Sequence, residues 1–455
     1  MSIALQDIRN CMDGVIPGGI ATCGSDGMPN VSYLSHMEFV DPQHVALSFQ
    51  FFNKTRENIL QHPYAEVGMV DPYTGATYHL SLQYLRTETA GPVFERMKAK
   101  LAGIASQEGM SDVFKLRGSD IYRVLNIELP PGDYLTAPPP RSNLLDATRC
   151  YATQINTCND LDELLETTLR GLKDHLGLKH AMILMLDSAG QKLFTVASYG
   201  YDTSGVGAEA PLGHGVIGVA ARERCPIRIS FAAAEYSYSR AIRDSMAQSE
   251  LAAQLETAIP FAGLANPGSQ IAVPILAPQK ILGVLYADSS DVMHFRYQDE
   301  DVLMVMASLL GSAIASLQNV PVGNSTDSDA VIASAPTRIA TPANKVVVRH
   351  FVENNSVFLD DAYLIKGIAG AVLWTLLSDY VQSGRKDFTN RGLRLDPRLR
   401  FPDINDNLEA RLILLQKRLI DRDAPIRLEK TGRGRFALNV GAALELFDVP
   451  RDLRR

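Results

Sequence analysis

Three cations crowd one short turn near the end of this 455-residue chain. Lys430, Arg433 and Arg435 lie in and beside KTGRG, whose glycines permit the backbone angles of a tight turn between two strand-like runs, Ile426 to Glu429 and Arg435 to Val440. A basic hairpin tip suits the phosphates or the minor groove of a nucleic acid. A second cluster, EYSYSRAIRD, mixes Tyr236 and Tyr238 with Arg240 and Arg243. Aromatic faces and guanidinium forks together suit a lid over an anionic or planar ligand. The plainer alternative there is packed tyrosines and solvated arginines. No nucleophile stands with a base in the pattern catalysis needs, and His36, on a strand, reads as a packed histidine.

The elements around the basic turn read in order. Leu408, Leu412, Leu415 and Leu419 recur at helical spacing, and Asp406 with Glu409 three residues on can cap that helix. Asn407, Arg411 and Arg418, spaced by four and seven, share one face of it. KVVVRHF and SVFLDD flank NNS as a hairpin. AYLIKGIAGAVLWTLLSDYVQSG reads as a helix carrying the only tryptophan as core, and DFTNRGLRLD as a second short helix. This order, with NLEARLILLQKRL followed by IRLEKTGRGRFAL, resembles the winged-helix output domain of bacterial response regulators. The resemblance implies DNA binding through Asn407, Arg411, Arg418, Lys430, Arg433 and Arg435. Where that family commonly places polar or basic groove-facing residues, this chain has Ile413 and Leu414. An apolar pair cannot hydrogen-bond base edges, though it can touch a thymine methyl. A helix face that binds a protein partner is therefore the rival expectation.

Residues 1–134 alternate apolar and polar positions over GIATCGSDG, PNVSYLSHMEFV, HVALSFQF, AEVGMVDP and YHLSLQYLRTETAG. One helix follows from Pro92 to about Gln107, then a last strand. The pattern predicts an antiparallel barrel. FQFFNKTRENILQHPYAEVGMVDP resembles the pyridoxamine-phosphate-oxidase-like, FMN-binding split barrels. The resemblance places a flavin phosphate at Asn53, Lys54 and Thr55, where a loop enters a helix and offers N–H groups beside a lysine. The family's second basic residue is Thr55 here. A barrel that has lost its flavin or binds something else stays open, as does an FMN-dependent oxidoreductase with regulatory appendages.

LTAPPPRSN reads as a boundary. Residues 143–319 then bring DLDELLETTLRGLKDHLG with Asp160 as its cap, a hairpin around SAGQ, a turn into a helix at GHGVIGVAAR, and a strand at CPIRIS. A polar helix over Arg240 to Leu255, two strands (SQIAVPILAP, KILGVLYADSS) and a long closing helix complete it. The segment resembles a GAF sensory domain, which implies a small-molecule ligand and a homodimer. By position in that family the ligand candidates are His214, Cys225, Tyr236, Tyr238, Arg240 and Arg243. Cys150 and Cys158 lie eight apart on one expected helix face, as packed residues or as a redox pair across a dimer.

Residues 320–341 are low in large apolar side chains and read as a flexible tether before a domain at 342–450. The net charge of −7 divides unevenly: from Lys345 onward there are about 20 Lys and Arg against about 15 Asp and Glu. A basic end on an acidic body suits a polyanion, and a solvated basic face is the plainer reading. Five cysteines, an odd number without a C-x-x-C pair, argue against both a disulfide framework and a zinc ribbon. No apolar run is read as a membrane span and no signal peptide is evident, so the expected compartment is the cytoplasm. The expected protein is a three-part regulator: split barrel, GAF sensor and winged helix, with ligand or redox state altering a dimer's binding to DNA.

Overall fold

The computed structural model describes residues 3–34, 36–49, 53–107, 116–139, 143–187, 190–230, 259, 261–278, 280–319, 345–360, 362–399 and 408–449. Near the N-terminus, a 3-10 helix (Leu5–Asp13) precedes a seven-stranded antiparallel sheet of order β2-β1-β5-β6-β7-β4-β3. Its strands are β1 (Gly18–Cys23), β2 (Pro29–Leu34), β3 (Met37–Asp41), β4 (His44–Phe49), β5 (Tyr64–Val70), β6 (Thr77–Glu88) and β7 (Gly118–Glu128). Alternation along β5 buries Ala65, Val67 and Met69 and turns Tyr64 and Glu66 outward, as a half-buried strand requires. Helix α1 (Asn53–Gln61) links β4 to β5, and α2 (Pro92–Gln107) lies between β6 and β7.

The middle of the chain forms a six-stranded sheet of order β10-β9-β8-β13-β12-β11. Its strands are β8 (His180–Leu186), β9 (Lys192–Tyr199), β10 (Glu209–Pro211), β11 (Ile227–Ile229), β12 (Ser269–Ala277) and β13 (Lys280–Ser289). Helices α3 (Leu144–Ile155), α4 (Leu161–Leu176) and α6 (Tyr297–Asn319) cover one face, and α5 (Gly215–Glu223) covers the other. Period-two alternation sorts the side chains. Ala181, Ile183 and Met185 face the three helices, while Met182 and Leu184 face α5. Asp160 caps α4 as expected, accepting from the Glu163 N–H at 3.0 Å. Cys150 lies on α3, but Cys158 falls beyond its end, so the expected shared helix face is not formed. Contrary to the sequence expectation, α6 is long and apolar enough over Tyr297–Leu317 to cross a membrane by length and composition. Here it packs Met306, Ala307, Leu310 and Ile314 into the sheet core.

The C-terminal unit has a four-stranded sheet, β16-β15-β14-β20, and a three-stranded one, β17-β19-β18. Its strands are β14 (Lys345–Phe351), β15 (Ser356–Leu359), β16 (Ala362–Ile365), β17 (Asp387–Thr389), β18 (Ile426–Gly432), β19 (Arg435–Val440) and β20 (Ala443–Val449). Helices α7 (Gly367–Ser383), α8 (Asn390–Arg394) and α9 (Leu408–Asp421) lie between them in sequence. The run expected to begin a helix at Ala362 first forms β16. Asp406, expected to cap α9, lies outside the described residues, while its expected partner Glu409 lies in the first turn of that helix. The expected helix core is present: Leu408, Leu415 and Leu419 are fully buried. Trp374 stacks on His350 at 4.7 Å. One continuous apolar cluster runs from the middle sheet's helix face into this unit.

Candidate functional site

Three neighbouring strands of the middle sheet place polar groups in one row on the α5 face. Asp288 on β13 stands in register with Gln270 on β12 and His180 on β8, and Tyr286 lies two residues before it. Tyr201, just beyond β9, donates to Asp288 Oδ1 at 3.0 Å. The Leu264 N–H donates to Oδ2 at 3.1 Å, and the Tyr286 hydroxyl reaches Gln270 Oε1 at 3.1 Å. The His180 ring lies 5.4 Å from that of Tyr201, and His180 Nδ1 is buried without a hydrogen-bond partner among the described residues. Burial pushes the Asp288 carboxyl above its usual value, with the Leu264 N–H and the Tyr201 hydroxyl opposing the shift. Carboxylate, amide and imidazole are groups that can take hydrogen bonds from a small polar molecule.

None of this row was expected from the sequence. Polar residues two apart in YADS, at positions where β13 otherwise faces inward, were the available signal. Of the expected ligand residues, His214 is exposed at the N-cap of α5. Cys225 is buried in the apolar cluster that α2 shares with α5 and β11, and burial pushes its thiol up to about 12. It belongs to a junction between units, not to a pocket. Gly103 of α2 makes that junction close, because a Cβ there would stand 2.5 Å from Ile227. Tyr236, Tyr238, Arg240 and Arg243 lie outside the described residues.

The same junction carries buried charge. Arg228 on β11 grips Asp13 with two hydrogen bonds of 2.7 Å and reaches Glu300 at 2.9 Å. Burial alone would lower its pKa, and Asp13 and Glu300 more than reverse that. Tyr297 lies between Arg228 and Arg9, at 4.2 and 4.4 Å from its ring centroid. On the N-terminal side, Glu38 holds Lys100 (3.0 Å) and Arg96 (2.8 Å).

The expected flavin site fits a flavin poorly. Lys54 is exposed, and Asn53 begins α1 with its side chain outside the described residues. Thr55 is buried and accepts from Asn30 at 2.8 Å. The adjoining cation, Arg56, is committed to Asp120 at 2.6 Å and to Thr87 at 2.9 Å. The cavity lined by Thr55, Arg56 and Asp120, with Ser48 and Tyr122, is about 10 Å³. That is room for about one water, which would satisfy the unpartnered Ser48 hydroxyl. A carboxylate beside the committed arginine disfavours a phosphate.

The expected DNA-reading helix is covered. Leu414 of α9 reaches Gly207, beside β10, where φ is +89° and a Cβ would stand 3.3 Å from Leu414 Cδ1. Arg411 lies over the Phe194 ring of β9 at 4.2 Å, and buried Arg418 donates to the Leu364 carbonyl at 3.1 Å. Lys430 pairs with Asp160. Arg411 and Arg418 therefore correct the expectation of an exposed face: the middle sheet and β16 occupy it. Ile413 and Leu414 are both buried. Arg433 and Arg435 stay exposed at the hairpin tip, and Asn407 lies outside the described residues.

Comparison with curated proteins gives no match. Among solved structures, the chain is similar to the GAF domain of a phosphoenolpyruvate-protein phosphotransferase from Acinetobacter. The identity is 22% over 39% of this chain and 97% of that one, with TM-score 0.31. It is also similar to free methionine-R-sulfoxide reductase from Neisseria meningitidis in complex with its substrate (20%, 40% and 95%, TM-score 0.31). An FMN-binding protein from Syntrophomonas wolfei shares 14% identity over 28% of this chain and 86% of that one, with TM-score 0.25. The GAF family model matches residues 160–314, which form a GAF domain.

Proposed function

We propose that this chain is a sensory regulator with three parts. The GAF domain binds a small polar molecule at the row of Asp288, Gln270, His180, Tyr201 and Tyr286. The C-terminal unit is a winged helix that binds duplex DNA, and the N-terminal sheet is a split barrel joined to the sensor as a regulatory part. The boundaries proposed are 1–134, 143–319 and 342–450, with a tether at 320–341. The observation that carries this reading is the seating of α9 on the GAF domain, since a reading helix held by a sensor is a control point. The order of strands and helices around α9 and the exposed cations at its hairpin support the winged-helix assignment.

Two measurements test it. A screen of small polar molecules should find some that raise the melting temperature of the full chain, and Asp288→Asn should abolish that rise. Ligands that stabilise both proteins equally would remove Asp288 from the site. Duplex DNA should bind at low salt, and the complete absence of binding to genomic fragments would remove the DNA output. A second reading has one observation in its favour: the apolar pair Ile413 and Leu414 is buried, as in a protein-binding helix. On that reading the partner is this chain's own GAF domain. An FMN-dependent oxidoreductase is the weaker reading, because Arg56 is committed to Asp120 and the cavity beside it holds about one water. Purified protein that takes up FMN would revive it.

A further inference from the structure

Three lysines of the C-terminal unit end on acids of the GAF domain, on a face that also carries Glu409, beside Asp160, and Asp421, which takes the Ser204 hydroxyl. Lys430 at the end of the hairpin pairs with Asp160, Lys417 of α9 lies 3.6 Å from Asp162, and Lys366 before α7 lies 3.3 Å from Glu209. The lysines come from β18, from α9 and from the N-cap of α7, and each ends on a carboxylate of the GAF domain. Asp160 and Asp162 stand at the start of α4, and Glu209 stands on β10. Burial pushes both the Asp160 and Glu209 carboxyls up; Lys430 reverses this at Asp160, and at Glu209 it is reversed by Lys192 of β9, 2.9 Å away, together with Lys366, so both lie below the usual range. Asp160 and Glu209 are therefore charged at neutral pH, as phosphates are.

A lysine ammonium is a point charge that donates to a carboxylate or a phosphate oxygen equally well. On this basis we infer that Asp160, Asp162 and Glu209 stand where backbone phosphates of a duplex would stand. Docking on the GAF domain and binding of duplex DNA then exclude one another. This inference rests on the reading of the C-terminal unit as a DNA-binding module. Each pair is partly open to solvent, so each holds weakly, and a polyanion can displace it. Arg433 and Arg435 are not covered and can meet the duplex first.

The test uses the full chain and a labelled duplex of mixed sequence, with anisotropy read across a salt series. The variant Asp160→Asn, Asp162→Asn, Glu209→Gln removes three charges from the GAF side only, and Asn still caps α4. Small-angle scattering reports whether it opens. The expected result is a larger radius of gyration, affinity higher by about 10-fold or more at about 50 mM salt, and a steeper salt dependence. Adding Arg433→Ala and Arg435→Ala should then reverse much of the gain. An opened variant that binds DNA no more tightly than the parent overturns the exclusion while leaving DNA binding intact. A variant that stays closed overturns the role of the three acids. Opened protein that binds no DNA at all overturns the DNA-binding reading itself, and the exclusion with it.

Discussion

Glu38 shows how much a single buried charge depends on its neighbours. Burial raises its pKa, but Lys100, His36 and Arg96 reverse this and hold the carboxyl well below the usual range. A depressed carboxyl contributes stability that is fully present above its unfolded value, about 4.3, and is lost as pH falls through its folded value. Glu38→Gln should therefore destabilise the chain by about 3–5 kcal/mol at pH 7, since it leaves Lys100 buried without its partner. Denaturant unfolding in increasingly acid buffer should show the gap to the parent closing below the usual carboxylate range. A gap independent of pH would show that Glu38 acts through shape alone. At this scale the sequence was least informative. His180, Gln270 and Asp288 are about 90 and 18 residues apart along the chain, and only strand register brings them into one row. Arg411 and Arg418 misled for the same reason: helical spacing gives a shared face, not what lies against it.

Helices and long strands were legible where periodicity was strong. The cap at Asp160, the hairpin of β8 and β9, the paired β12 and β13, and α2 all lie where their patterns place them. Short strands were legible only in part: CPIRIS and SVFLDD were read as the strands that form β11 and β15. β10 and β17 have three residues each and β16 has four, too few to display alternation, and β16 was absorbed into the helix that follows it. β20 pairs parallel to β14, a long-range pairing that no local turn announces. The element whose displacement matters most is the loop before β10. Gly207 has φ +89° and lies against Ile259 as well as Leu414. Gly207→Ala should cost about 1–3 kcal/mol through backbone strain and should also push Leu414 away. Hydrogen exchange should then rise on the GAF-facing side of α9. Unchanged exchange with unchanged stability would mean that this contact does not hold α9 in place.

Across the whole molecule the GAF domain touches both of its neighbours, and by different means. The N-terminal side is joined through α2 packed on α5 and through Arg228 with Asp13. Removing one partner of a buried pair is expensive, so Arg228→Ala should destabilise the chain by about 3–5 kcal/mol in denaturant unfolding. Arg228→Met, which keeps the volume but leaves Asp13 and Glu300 facing each other, should recover little of that. Full recovery would mean that volume alone matters at this junction. The C-terminal side is held by the apolar cluster that continues into α9, with Leu414 against Gly207, and by partly exposed ion pairs. Along the middle sheet, the junction at β11 and the contact at β10 lie on opposite sides of the polar row on β8, β13 and β12. On the proposed reading, a ligand at that row acts on the second contact while the first stays fixed.

The claim that α9 is released from the GAF domain when the protein acts can be tested by locking it. Ser204 Oγ and Asp421 Oδ2 lie 2.5 Å apart across the contact. Ser204→Cys with Asp421→Cys, joined by a short, reducible thiol crosslinker, should fix the docked arrangement. DNA affinity of the crosslinked full chain, measured before and after reduction, is the decisive reading. The account predicts that binding is weak while crosslinked and returns on reduction. Equal binding in both states would show that the docked arrangement leaves the DNA-binding surface open, and would contradict it.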